Sequence, residues 1–473
     1  MPVVVGVDSS TSACKVKVRD LDTGNLLDSG RAPHPPTTPP RSEQDPRAWE
    51  EAFAAACEQA GVPGKHRPVA ISVAAQQHGL VTLDAQGDVV RPAKLWNDTE
   101  SAPDADWLIG RLEGGPAAWA AACGSVPVAA FTITKLSWLH RSEPDAFERV
   151  ASVLLPHDWL TWRLTGRRTT DRGDASGTGY WSPTEGGYRF DLLAIVDKEK
   201  DWDQAVPTVL DPFEAAGEWA ACGAAVAPGT GDNMAAALGL GVGPGDLVLS
   251  IGTSGTAFAV SEHPTADPTG AVAGFADATG RFLPLVCTLN GTKVTDAFSR
   301  LLAGGDAGRF DQLALAGAPG AGGVVLVPHL DGERTPNRPG ATGTLGGLRS
   351  DVRPEQVARA AVEGVVCNLL EGVDALMAAG VDVSGRVFLV GGGARSAAYR
   401  HVVAALLGRP VLVPRDEELV ARGAALQAAA VANAATADDV AAAWPDECDV
   451  LEPDATVDAE AVRQAYAAAR VNP

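Results

Sequence analysis

The run Val3-Val4-Val5-Gly6-Val7 breaks into Asp8-Ser9-Ser10-Thr11-Ser12 and resumes as Cys14-Lys15-Val16-Lys17-Val18. The same grammar returns about half a chain later. There Leu247-Val248-Leu249-Ser250-Ile251 breaks into Gly252-Thr253-Ser254-Gly255-Thr256 and resumes as Ala257-Phe258-Ala259-Val260. Each copy reads as strand, tight hydroxyl-rich turn, strand, because short β-branched runs bounded by glycine and serine are hairpin signals. Small turn residues let backbone N–H groups come close to an anion, and serine and threonine hydroxyls add donors. One copy would ordinarily be no more than a hairpin. Two copies point to two similar halves whose turns can grip one polyphosphate from opposite sides.

The bulk composition agrees. At 473 residues the chain exceeds what one hydrophobic core usually sustains, so two domains are the default. It is 46% apolar with 52 glycines, which suits a loop-rich α/β protein with substantial cores. A net charge of −21 argues against sequence-independent nucleic-acid binding, which needs a basic surface to displace counterions. An anionic substrate then requires a locally arranged pocket or a metal. The seven cysteines are scattered, with no CxxC pair, and read as free thiols in a reducing compartment. The N-terminus shows no basic leader ahead of an apolar segment, and no apolar run approaches the ~18 residues of a membrane span. A soluble, cytoplasmic protein with neither nucleic-acid nor membrane partners is expected.

Outward from the first hairpin, the opening 30 residues read as a β-meander turning at Asp22-Thr23-Gly24-Asn25. After a Pro-rich stretch, Asp45-Pro46 opens an amphipathic helix, with aspartate at its start and proline in the first turn. Val69 to Val73, Leu80 to Asp84 and Arg91 to Trp96 read as strands, and helical patterning dominates from about 103 to 165. Ala227-Pro228-Gly229-Thr230-Gly231-Asp232-Asn233 is a tight loop launching the helix from Met234 to Leu238. The second hairpin follows almost at once, which places the main domain boundary near 243. Val324 to Pro328 and Arg386 to Val390 read as strands, Pro354 to Met377 as a long helix, and the alanine-rich segment after Gly423 as a helix followed by a weakly marked tail.

The chemistry-bearing motifs each have a plainer alternative. There is no Walker-A sequence, so ATP binding would have to proceed without a P-loop. Gly391-Gly392-Gly393-Ala394-Arg395-Ser396 after a strand fits a dinucleotide fingerprint in part, a plain turn, or nucleotide contact of another kind. Asp232 is either a reactive acid flanked by glycines or a helix N-cap. His78 lies in the polar cluster Gln76-Gln77-His78-Gly79 as a ligand or a structural histidine. Trp96-Asn97-Asp98 offers an aromatic face and polar groups suited to a sugar, or merely ends a strand. Gly332-Glu333-Arg334-Thr335-Pro336 is a polar turn with either a ligand or an internal partner.

Together these motifs resemble the FGGY carbohydrate kinases. The resemblance rests on their order: Asp8-Ser9-Ser10-Thr11 with Lys15, Gln76-Gln77-His78-Gly79, Leu95-Trp96-Asn97-Asp98, Leu155-Pro156-His157-Asp158, and Thr170-Asp171 with Asp174. It continues through Gly231-Asp232-Asn233, Gly252-Thr253-Ser254-Gly255, Gly332 to Pro336 and Gly391 to Ser396. The order is most similar to the xylulokinase branch over about residues 3 to 430. It implies an α/β fold of two duplicated actin-like, ribonuclease H-like ATPase domains hinged around a central cleft, the superfold shared by sugar kinases, heat-shock chaperones and actin. It implies a sugar-binding domain over 1–243, a nucleotide-binding domain over 244–433 and a helical tail over 434–473.

The resemblance further implies ATP-dependent phosphorylation of a ketopentose, foremost D-xylulose to D-xylulose 5-phosphate. Asp232 would be the catalytic base, and Asp8 with Asp232 would face Mg²⁺. Gln77, His78, Trp96, Asp232 and Asn233 would surround the sugar. Ser10, Thr11, Lys15, Gly252, Thr253, Gly392, Gly393 and Ala394 would contact the nucleotide. Another pentulose or a polyol as substrate, a non-catalytic sugar or nucleotide sensor, and a homodimer all stay open. Three positions depart from the family pattern: Gln77 replaces the usual methionine, Thr99-Glu100 stands where an arginine is common, and Arg422 replaces an aliphatic residue. Glu100 is a charge reversal close to the expected sugar pocket, so Glu100→Arg is expected to change sugar KM or selectivity.

Overall fold

The computed structural model describes residues 1–444 and 447–471, which fold into two compact units. The first contains Met1–Val242 and Glu262–Leu283 together with 418–444; the second contains Gly243–Ser261 and Pro284–Glu417 together with 447–471. The chain thus leaves each unit and returns to it.

In the first unit, strands Val3–Ser9, Ala13–Asp20 and Leu26–Pro33 form an antiparallel meander. Ala70–Ala75 joins the free side of the first strand in parallel, and Ala224–Val226 extends the parallel part. The second unit repeats the order. Residues 285–288 pair with Gly255–Ala259, which pairs antiparallel with Leu247–Ile251. Val387–Val390 and then Val411–Pro414 follow in parallel. The echoed hairpins are therefore the corresponding corners of two sheets of the same topology.

The central strand Val3–Ser9 is buried along its whole length, as a strand covered on both faces must be. Its alternating side chains divide between two helices. Val3, Val5 and Val7 join a core with Trp49, Phe53 and Ala56 of helix Pro46–Gln59, whose Asp45 N-cap accepts from the Arg47 N–H at 3.0 Å. The opposite face meets helix Leu419–Asn433. A Cβ on Gly6 would lie 1.9 Å from the Ala421 carbonyl, and one on Gly423 would lie 1.8 Å from the Ala235 carbonyl. The alanine density of this helix is therefore more than helix preference: small residues let it lie against the sheet and against helix Asp232–Leu240 at backbone contact distance.

Two sequence expectations change. The helical stretch from 103 to 165 is interrupted by strand Ser152–Leu154, which pairs with Val81–Leu83. Three residues flanked by proline-initiated helices (Pro144, Pro156) are too short to imprint a period of two on the pattern. The weakly marked tail contains an edge strand, Cys448–Leu451, and helix Ala459–Val471. Among the described residues no helix is long and apolar enough to cross a membrane.

Candidate active site

Register fixes the site in the first unit. Asp8 lies opposite Lys15 on one side and Ala74 on the other, while Thr230 and Gly231 pair with Ala74 and Ala75. Three neighbouring segments therefore end along one edge of the sheet, delivering Asp8, the Gln76-Gln77-His78 turn and Asp232. These residues lie far apart in sequence, and parallel pairing sets them side by side.

Asp8 is buried, with Oδ2 3.2 Å from Lys15 Nζ and Oδ1 without a hydrogen-bond partner. Burial pushes its carboxyl above the usual aspartate value despite Lys15. Lys15 also meets Glu418 Oε2 at 2.7 Å. Asp232 is the first residue of helix Asp232–Leu240, with Gly231 as the N-cap, so the N-cap alternative does not apply. Burial, reinforced by the charge of Asp8, pushes Asp232 up to about 7. Asn233 Nδ2 donates to Asp232 Oδ1 at 2.9 Å and to Gln77 Oε1 at 2.7 Å. Gln77 Nε2 is buried without a partner. A buried orphan costs about 1–3 kcal/mol, so Asp8 Oδ1 and Gln77 Nε2 mark where a ligand would recover stability. An unpartnered carboxylate oxygen also fits a hard cation, which prefers oxygen ligands.

His78 adopts φ 65°, uncommon for a non-glycine residue. Its ring is wedged against Phe131 and Phe275, with centroids 5.1 and 5.5 Å away. A Cβ on Gly177 would come within 2.4 Å of the ring. Trp96 Nε1 donates to Thr11 Oγ1 at 2.9 Å, and Thr11 Oγ1 meets Gln76 Oε1 at 3.1 Å. The Ser10 hydroxyl bonds the Ala13 carbonyl at 3.0 Å. The hydroxyls expected to face phosphate therefore hold the turn and the Trp96 ring.

The departures from the family pattern have local partners. Lys94 is fully buried, and its Nζ lies 3.1 Å from Glu43, 3.1 Å from Asp98, 2.7 Å from Glu100 and 3.8 Å from the centroid of Trp138. Glu100 also pairs with Arg41 at 3.2 Å, and the Lys94 ammonium holds its carboxyl below the usual range. Its charge is thus directed at two cations of the protein. The oxygens of Glu43, Asp98 and Glu100 could surround a metal, but Lys94 already supplies that charge. Arg422 donates to the carbonyls of Gly239 and Trp444, which places a cation at the C-terminal end of the Asp232–Leu240 helix, where the helix dipole favours it.

Beneath the site lies a buried cluster that the sequence motifs contained but gave no role. His157 Nε2 lies 3.1 Å from Asp158, 3.4 Å from Asp171 and 3.5 Å from Asp174. Burial pulls the imidazole pKa down, yet the carboxylates outweigh it and raise it to about 9. Asp158 is pushed up to about 6, foremost by burial.

In the second unit, the Gly252-Thr253-Ser254 turn is closed by Gly252 N–H to Ser254 O at 2.8 Å. It is braced by Gly291 N–H to Thr253 O at 3.0 Å and Thr292 N–H to Gly252 O at 2.7 Å. Gly391 has φ 84°, and a Cβ on it or on Gly393 would strike Ile251 at 2.7 or 2.6 Å, while Gly392 has nothing within 4 Å. Gly391 and Gly393 therefore seat the turn on the neighbouring strand, Ala394 is buried, and Gly392 leaves an open face. A short 3₁₀ turn, Gly392–Arg395, intervenes before helix Ala397–Leu407, unlike a dinucleotide fingerprint that opens its helix directly. Glu333 is an internal hub, accepting from the Leu289 N–H at 2.5 Å, from Asn290 Nδ2 at 2.9 Å and from Asn368 Nδ2 at 2.8 Å.

Residues 3–239 match the N-terminal domain, and residues 247–432 the C-terminal domain, of the FGGY family of carbohydrate kinases. The xylulose kinase of Streptomyces coelicolor is 49% identical over 450 residues, covering 94% of this chain and 91% of that protein. That of Streptomyces rubiginosus is 48% identical with the same coverage. The solved structure of xylulose kinase from Bifidobacterium adolescentis matches with a TM-score of 0.88 at 42% identity, covering 99% of both chains.

Proposed function

From the FGGY family of carbohydrate kinases, to which this chain belongs, we propose an ATP-dependent xylulose kinase that converts D-xylulose to D-xylulose 5-phosphate, with Asp232 as the general base. The observation that carries this reading is the setting of Asp232. It sits at a helix start beside Asp8, tied to Asn233 and pushed up to about 7. A base of that pKa is matched to taking a proton near neutral pH. The nearby orphan donor Gln77 Nε2 supplies a hydrogen bond that a sugar oxygen would complete. The relatives described above support D-xylulose as the substrate.

In the proposed reaction the primary hydroxyl of the sugar gives its proton to Asp232 as its oxygen attacks the γ-phosphorus. The bond from that phosphorus to the β,γ-bridging oxygen breaks, and ADP leaves. Asn233 fixes the rotamer of the Asp232 carboxylate through its hydrogen bond. Gln77, His78, Trp96 and Asn233 orient the sugar. Asp8 and Asp232 are assigned to Mg²⁺, which when bound neutralises phosphate charge. Ser10, Thr11 and Lys15 act beside Asp8; Thr253 donates to phosphate, while Gly252, whose N–H is spent on the Ser254 carbonyl, shapes the turn that presents it; and Gly392, Gly393 and Ala394 lie along the nucleotide. A coupled ADP-release assay across ketopentoses and glycerol tests the proposal. D-xylulose should give the highest kcat/KM, and no sugar-stimulated ADP production with any substrate would overturn it.

A further inference from the structure

Gln427 lies on helix Leu419–Asn433, with Gly423, Ala424 and Ala430 one turn away on the same face, and is fully buried. Its Oε1 accepts from the Ser72 hydroxyl at 2.6 Å and from the Gly229 N–H at 3.1 Å. Its Nε2 donates to the Gly229 carbonyl at 3.1 Å and to the Pro212 carbonyl at 3.4 Å. The amide thus engages both backbone groups of Gly229, much as a neighbouring strand would. Gly229 has φ 81°, and a Cβ there would lie 2.6 Å from the Val73 carbonyl and 2.7 Å from His157 Nδ1. With no side chain of its own, this residue must be held from outside. The next residue is anchored separately: Thr230 Oγ1 donates to Asp171 Oδ2 at 2.7 Å. Two residues further on, Asp232 begins its helix.

We propose that Gln427 is a positioning residue for Asp232, acting through the backbone of Gly229. This rests on the reading of Asp232 as the base. A buried amide with all its partners met fixes one conformation of what it touches, and here it touches the loop that carries the base to the sheet edge. Without the clamp, the N–H and carbonyl of Gly229 lose their buried partner, and the loop shifts to recover hydrogen bonds. A displacement of about 1 Å at a reacting group is enough to cost ~100-fold in rate. Of the sugar-facing residues, His78 is held against Phe131 and Phe275 and Trp96 on the Thr11 hydroxyl, none of them on the Gly229 loop, so most of the sugar affinity should survive.

The test compares Gln427→Met, which keeps the shape and removes all four hydrogen bonds, with wild type, Asp232→Asn and the double variant. The full-length protein is used, with D-xylulose and ATP. Gln427→Met should lose about 10- to 100-fold in kcat while its D-xylulose KM stays within about threefold. Calorimetry should still show one sugar bound per chain. In the Asp232→Asn background the same substitution should change residual turnover by less than about twofold, because the two residues act as a unit. A wild-type kcat for Gln427→Met, or an equal fold-loss in both backgrounds, would overturn the positioning role while leaving Asp232 in place. Normal turnover by Asp232→Asn alone would remove the base reading and this proposal with it. Should Gln427→Met fail to fold, Gln427→Glu keeps the acceptor for Ser72 and the Gly229 N–H and lacks the donor to the Gly229 carbonyl. The same non-additivity is expected of it, and an additive loss overturns the proposal.

Discussion

Replacing Lys94 by methionine should destabilise the first unit severely, and the structure says which group bears the cost. The ammonium is fully buried among Glu43, Asp98 and Glu100 under Trp138. Methionine fills much the same space without the charge. After the change Glu43 keeps Arg91 at 2.6 Å, and Glu100 keeps Arg41 at 3.2 Å. Asp98 keeps only the N–H groups of Ser42 at 2.9 Å and Glu100 at 3.1 Å. One fully buried carboxylate is thus stranded, and stranding one partner of a buried pair costs about 3–5 kcal/mol. For a unit of this size that is roughly 6–20 °C in melting temperature. Differential scanning fluorimetry measures the loss, and adding Asp98→Asn should restore about half of it. A melting temperature within about 2 °C of wild type, or no recovery on adding Asp98→Asn, would refute the reasoning.

Glu100→Arg sets a second cation against Lys94 and Arg41, so it should lower the melting temperature while leaving D-xylulose KM within about threefold. A selective change in sugar KM without loss of stability would return Glu100 to the pocket. Asp232→Asn should bind sugar but lose turnover by about 10²–10⁴, as read by calorimetry and the ADP assay. Because a base acts deprotonated and Asp232 is pushed up to about 7, wild-type kcat/KM should fall as pH drops through that value. The residual rate of Asp232→Asn should lack this limb; an acid limb unchanged in the variant would assign it to another group. Gly423→Ala should gain about 1 kcal/mol on helix preference alone. The added Cβ would lie 1.8 Å from the Ala235 carbonyl, so a net loss of about 1–3 kcal/mol is expected in urea denaturation.

Much of the candidate site was legible because it is built from turns and element ends. Asp8 stands near the end of an apolar strand, Gln77 and His78 just follow one, and Asp232 stands between a glycine-containing loop and a helix, and that grammar is local. The echo of the two hairpins was legible for the same reason, and the two sheets repeat the topology it implied. Strand Ser152–Leu154 was not legible, since three residues hold too little pattern to stand out between helices. Nor was the engagement of Ser10 and Thr11, because a hydroxyl in a turn reads alike whether it faces an anion or the Gln76 side chain.

The sequence by itself determined where strands stop, where helices start, and which residue types stand at those ends, because these depend on neighbours a few positions away. Tertiary structure alone decided which partner each charge and amide meets. Lys15 finds Glu418 across 403 residues, and Gln427 finds Gly229 across 198. Glu100 turned out to complete a buried ammonium site with Lys94, although its position beside Trp96 suggested the sugar. Pairings of that span are set by sheet register and by how closely small residues let helix Leu419–Asn433 approach the central strand. Those are properties of packed surfaces, which a linear pattern does not carry.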